Sequence, residues 1–229
     1  NEFLKKIFEK PIEKIECIHK GGRGNKYDYQ IIINDQMYNI ELKFNATKID
    51  EAPQFFSPGN PSQFFTNSYE EFFYDNYINQ ICFSDIPERD LYLKQVHSIK
   101  PLCMEEYQNK YYKGCKKSSQ YSGEQEDEEY YKKCIKLSKE SIKRFLETTD
   151  VNIDKLSNQI NNSQKDKIYM LYKNNKFYVD KHKPLHIDSI KIFPHKNKLE
   201  LNTLLGHKHK VLLRWKNGNG IAYPALQIK

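Results

Sequence analysis

The sequence has no CxxC pair. Its 5 cysteines, Cys17, Cys82, Cys103, Cys115 and Cys134, are odd in number and scattered along the chain. That pattern suits neither a metal finger nor a disulfide framework. Free thiols in a reducing, intracellular compartment (cytoplasm or nucleus) are the expectation, and with no signal peptide at the start, secretion is not expected. No apolar run approaches the length of a membrane span, so no membrane partner is expected. A GxxxxGK[ST] phosphate loop is missing, which excludes P-loop nucleotide chemistry. The run GGRGN at residues 21–25 lacks the dinucleotide-binding spacing and leads into a strand rather than a helix. No Ser-His-Asp or Cys-His signature nominates a nucleophile.

What is present points elsewhere. The 229 residues suffice for one large domain, and an aromatic fraction of 14% argues against disorder despite a mean hydropathy of -0.85. A formal net charge of +7 favours a polyanionic partner. Residues 2–9 place Phe3, Leu4, Ile7 and Phe8 on one helical face, ended by Pro11. Residues 52–65 read as a loop rich in proline. Residues 69–83 read as a helix, and LYLKQVHSI after PERD as helix or strand. Residues 105–147 are charged and Tyr-rich and read as two helices around SSQYSGE. Their faces are either solvated or a basic strip for nucleic acid. KIYMLYKNNKFYVDK predicts a second hairpin turning at Asn174-Asn175, and Asn217-Gly218-Asn219-Gly220 a third. Residues 165–229 are therefore expected to be β-rich.

The first hairpin carries the chemistry. In YNIELKFN, residues 38–45, side chains alternate between faces. Ile40, Leu42 and Phe44 point one way, and Asn39, Glu41, Lys43 and Asn45 the other. A two-residue turn at Asn34-Asp35 pairs Ile33 with Gln36 and sets Asp28 opposite Glu41. A four-residue loop would set Asp28 opposite Lys43 on the same face, and a three-residue loop would break the register. Opposed carboxylates repel at Cβ separations of about 4.5–5.5 Å. A hard divalent cation with oxygen ligands is the natural compensation. Beside it Lys43 would orient water and neutralise charge developing on a phosphate. Two carboxylates and one lysine so placed suit metal-assisted hydrolysis of a phosphodiester. The bland alternative is a surface hairpin with ordinary charges.

Asp28 followed on the adjacent strand by Glu41-Leu42-Lys43, after a helix and a Gly-rich loop, resembles the PD-(D/E)XK nuclease superfamily. Tyr27 stands where the nominal proline would be. The resemblance covers roughly residues 1–60. It implies an α/β fold, a restriction-endonuclease-like core with a mixed sheet flanked by helices. The chain would then be a single nuclease domain over 1–229. Residues 1–60 would carry the catalytic motif, 61–150 a largely helical insertion, and 165–229 a β-rich part for DNA recognition. The resemblance implies Mg2+, with Mn2+ substituting, on Asp28, Glu41 and the Leu42 carbonyl, and Lys43 positioning water. It further implies a DNA substrate, duplex before RNA or branched DNA, a sequence-specific restriction type, and a homodimer. An acidic residue on the first helix joins the site in many members, and Glu2 and Glu9 are the two candidates. The rival from another class is an inactive nucleic-acid-binding protein or scaffold of the same fold.

Other residues fit a nucleic-acid partner. Lys20, Arg23 and Lys26 flank the glycines, whose backbone can approach phosphate closely. Asn45 and Gln54 follow the ELK strand and lie near the expected substrate. Lys208, Lys210 and Arg214 surround the last strands, with Trp215 beside them. His182, His186, His195, His207 and His209 raise a zinc alternative, without acidic or cysteine partners at regular spacing.

Overall fold

The computed structural model describes residues 2–21, 27–44, 54–56, 63–82, 85–96, 123–181, 184–215 and 224–228. The fold is mixed α/β. A short helix α1 (Glu2–Ile7) precedes strands β1 (Ile15–His19), β2 (Tyr29–Ile33), β3 (Gln36–Phe44) and β4 (Gln54–Phe56). Helices α2 (Tyr69–Ile81), α3 (Arg89–Val96), α4 (Gln125–Glu147) and α5 (Ile153–Gln164) follow. Six strands complete the chain: β5 (Lys167–Lys173), β6 (Lys176–Lys181), β7 (Ile187–Phe193), β8 (Lys198–Thr203), β9 (Lys208–Trp215) and β10 (Pro224–Ile228).

The first sheet has the order β1-β2-β3-β5-β6. Its first three strands are antiparallel, β3 and β5 are parallel, and β6 returns antiparallel to β5. The parallel step needs a long crossover, which α2 to α5 supply. Both hairpins turn where expected. Asn34 and Asp35 have φ of 47° and 64°, and Asn174 and Asn175 have 51° and 58°. Two successive left-handed residues make the type I′ turn that matches strand twist. Asn34 also ties the turn to the preceding chain. Its Oδ1 accepts from the Glu13 and Lys14 amides at 3.0 Å, and its Nδ2 donates to the Pro11 carbonyl at 2.8 Å.

Phe3 of α1 packs with Ile31, Ile33, Ile40 and Ile168 on one face of this sheet. That core covers only part of the expected apolar face of β3. Ile40 is fully buried, but Phe44 is 64% exposed and stacks on Tyr172. The strand runs past the end of the six-residue helix that covers it.

The second sheet has β7, β8 and β9 as its antiparallel body, with β10 and β4 added beyond β9. Leu199, Leu201, Val211 and Leu213 on its inner face join the larger core with α2, α4 and α5. Ser68 caps α2 through the Glu71 amide, and Asn152 caps α5 through the Lys155 amide. Tyr69 and Phe145 cross edge-to-face at 5.2 Å, and the Tyr69 hydroxyl bonds Ser141 Oγ at 2.8 Å. The β-rich stretch is thus divided, with residues 167–181 in the first sheet and 187–228 in the second.

The segment LYLKQVHSI is helical over its described part. Of the two helices expected in 105–147, the second is α4. The first lies outside the described residues, as does the turn at 217–220. The strands flanking that turn pair antiparallel as expected.

Candidate active site

The type I′ turn sets the register from Ile33–Gln36 to Tyr29–Ile40. One step further the regular ladder stops. The Asp28 amide donates to the Ile40 carbonyl at 2.9 Å, and the Asp28 carboxylate, through Oδ2, accepts the Leu42 amide at 2.9 Å. The side chain thereby replaces the strand partner that Leu42 would otherwise lack. Behind it, the amides of Lys20 and Gly21 both donate to the Asp28 carbonyl, at 2.8 and 2.9 Å. Two consecutive amides on one carbonyl mark a bulge, a device that re-aims side chains and ends pairing. Asp28 is therefore held from three directions at the lip of the Gly-rich loop.

Glu41 and Lys43 share the face opposite Ile40. The Lys43 ammonium donates to Glu41 Oε1 at 2.6 Å, with side chains only 13% and 15% exposed. The parallel neighbour adds a cation that the sequence reading did not nominate. Lys167 begins β5, pairs with Asn39, and donates from Nζ to Glu41 Oε2 at 3.3 Å. Its side chain is 5% exposed. Burial holds its ammonium below the usual lysine range, while Glu41 and then Asp28 pull it back up and Lys43 pushes it down. Tyr169, next on that face of β5, pairs with Glu41 on one side and Asp180 on the other. Its hydroxyl donates to Gln164 Oε1 at 2.5 Å. Burial raises its pKa, and the Glu41 and Asp180 carboxylates add to that.

The result is a half-dry cluster of two carboxylates and two ammoniums, balanced in charge. Part of the compensation assigned to a cation is thus supplied by Lys43 and Lys167. The donor chemistry still suits Mg2+, which binds oxygen through one or two carboxylates and keeps several waters. Asp28 Oδ1 accepts no hydrogen bond among the described residues, and Glu41 would exchange a lysine contact for the ion. No group of three or more His, Cys, Asp or Glu side chains converges among the described residues. Of the histidines of the zinc alternative, His182 lies outside the described residues, and His186, His195, His207 and His209 belong to no such group.

The remaining nominated residues are dispersed. Lys20 lies beside Asp28 through the backbone. Arg23, Lys26 and Asn45 lie outside the described residues. Gln54 belongs to β4, which pairs with β10 in the second sheet, away from the strand order of the hairpin. Lys208, Lys210 and Arg214 lie on β9 of that same second sheet. Glu2, on α1, and Glu9, past its end, are exposed, and α1 packs on the Ile40 side of the sheet, opposite Glu41. Neither supplies the helix-borne acid.

Comparison with protein-family models, with curated proteins and with solved structures finds no match to this chain.

Proposed function

We propose that the chain is a metal-dependent nuclease of PD-(D/E)XK type that hydrolyses phosphodiester bonds of duplex DNA. One observation carries the reading. A bulge and a type I′ turn join Asp28 to the Leu42 amide, next to Glu41 and Lys43, on β3, the central strand of a mixed sheet. The strand order, three antiparallel strands followed by one parallel to β3, supports the restriction-endonuclease-like core that the motif implies.

Asp28 and Glu41, with the Leu42 carbonyl, would hold Mg2+. When bound, the ion supplies Lewis-acid polarisation of the phosphate and a more acidic water. The chain does the rest. The Leu42 amide fixes the Asp28 carboxylate. Lys43, 2.6 Å from Glu41, orients the attacking water and neutralises charge gathering on the scissile phosphate. Lys167 keeps Glu41 oriented from the opposite side and adds a second positive charge. Burial of the cluster strengthens each of these contacts relative to water.

A second reading, an inactive nucleic-acid-binding protein, draws on the charge balance of the cluster. Two carboxylates met by two ammoniums are stable without an ion. Cleavage separates the two. Long duplex DNA should be cut with Mg2+, uncut with EDTA, and uncut by Asp28→Asn. Binding without cutting of duplex DNA, RNA or branched DNA would establish the inactive protein instead. Cutting confined to RNA or junctions would keep the chemistry and change the substrate.

A further inference from the structure

The outer face of the second sheet carries an ordered array of cations. Along β8, Leu199, Leu201 and Thr203 are buried, so Lys198, Glu200 and Asn202 face outward. Register extends that face to both neighbours. Ser189, Asn202 and Lys208 form one row; Lys191, Glu200 and Lys210 the next; Phe193, Lys198 and Leu212 the third. Arg214 continues β9 on the same side. The inner side is sealed against the helices by Ile190, Ile192, Val211 and Leu213.

Five cations thus share a face with one central carboxylate, Glu200. Asp188 sits at the irregularity on the outermost strand. The Lys208–Glu200 contact is 3.8 Å with Lys208 70% exposed, so it ties up little of either charge. Lys191 and Lys198 hold their ammoniums 5.3 and 4.6 Å from the Phe193 ring centroid. That contact limits the freedom of two long side chains before any partner arrives.

Strands are spaced by about 4.8 Å and same-face residues along a strand by about 6.6 Å. A nucleic-acid backbone carries one phosphate per roughly 3.4 Å of helix axis on each strand, so a cation grid of this size meets several phosphates at once. A membrane surface would call for apolar residues to insert: among the described residues the strands of this face offer Phe193 and Leu212, both half-buried, and the exposed Leu204 and Leu205 lie on the β8–β9 turn beyond the cation rows. Single strands are held by bases stacked on open aromatic rings; the Phe193 ring is capped by two lysines. We infer that the outer face of β7, β8 and β9 binds the phosphate backbone of duplex DNA, with Lys191, Lys198, Lys208, Lys210 and Arg214 as contacts. Ser189 and Asn202, already bonded to each other at 3.1 Å, lie along the same track. This surface gives the proposed nuclease a docking face, and its binding does not require hydrolysis.

The test is the affinity of the full chain for a short labelled duplex in EDTA, measured against salt. The triple variant Lys191→Gln, Lys208→Gln, Lys210→Gln removes three exposed charges. A control, Lys132→Gln, Lys136→Gln, Lys143→Gln, removes the same charge from the exposed side of α4. The sheet triple should flatten the log–log salt slope by about 2.7, and weaken binding at least tenfold near 0.1 M salt. The control should shift affinity by no more than about twofold. Equal weakening by both triples would overturn the inference, as would no binding by the parent. Tighter binding of single strands or of polyglutamate than of duplex would also overturn it. Binding through this face by a protein that cuts nothing with Mg2+ would sink the nuclease reading and leave this one standing.

Discussion

Replacing Glu41 by Gln keeps the shape of the side chain and deletes its charge. The structure says what that exposes. Two ammoniums, at 2.6 and 3.3 Å from the carboxylate oxygens, lose their common counter-ion inside a largely buried cluster. At an effective dielectric constant of about 20, Coulomb's law gives gross attractions of about 6 and about 5 kcal/mol for the two pairs. Desolvation offsets much of this. Stripping one partner from a buried pair costs about 3–5 kcal/mol net, so Glu41→Gln should be destabilised by that amount at pH 7. The loss should depend on pH in a set direction. Lys167 already titrates below the usual lysine range because of burial, and Glu41 is the largest influence holding it up. Without Glu41 its folded pKa falls further, whereas the unfolded value stays near about 10.4. Between those values the unfolded chain binds the extra proton, so stability rises with pH. The deficit should therefore shrink from pH 7 to about pH 9.5. Urea unfolding of parent and variant across that range measures it. A variant within 1 kcal/mol of the parent, or a deficit that does not change with pH, would refute the coupled cluster.

Three further outcomes follow from particular contacts. Tyr169→Phe leaves Gln164 Oε1 buried without its donor, at a cost of about 1–3 kcal/mol in the same unfolding assay. Asn34→Ala loses three hydrogen bonds and a tolerated left-handed φ, and should cost about 2–3 kcal/mol, whereas Asp35→Gly, at φ 64°, should be neutral or mildly stabilising. Burial pushes the Cys82 thiol up to about 11 and Cys134 is fully buried, whereas Cys17 is exposed. Peptide mapping after brief iodoacetamide treatment at pH 8 should find Cys17 labelled well before Cys82 or Cys134.

The sequence exposed the hairpin because its determinants are local. An Asx-rich turn of two residues fixes the pairing, and alternation then assigns Glu41 and Lys43 to one face. The same register set Asp28 directly opposite Glu41, but the ladder ends at Tyr29–Ile40 and the Asp28 amide bonds the Ile40 carbonyl instead; its carboxylate bond to Leu42 and the bulge behind it were not legible. Lys167 was missed for a topological reason. It reaches Glu41 across 126 positions through a parallel pairing, and nothing in KIYMLYK marks its first lysine as buried. One local signal was available, the placement of Lys167, Tyr169 and Leu171 on one face. The strand β1 went unread because it is an edge strand, four of whose five residues are exposed, so its burial pattern carries no alternation. The division of residues 165–229 between two sheets also depends on long-range partners. Alternation puts Phe44 on the same face as the buried Ile40, yet it is exposed because the short α1 does not reach it.

The most direct test sets the parent beside Lys43→Ala on long plasmid and phage duplex DNA, with Mg2+, Mn2+ and EDTA. The account predicts discrete fragments from the parent with either metal and none with EDTA. It predicts a rate lower by about 10²–10³ for Lys43→Ala, in line with loss of one charged group that acts on the developing phosphate charge. No cleavage by the parent under any of these conditions, or equal cleavage by Lys43→Ala, would contradict a catalytic site on the hairpin.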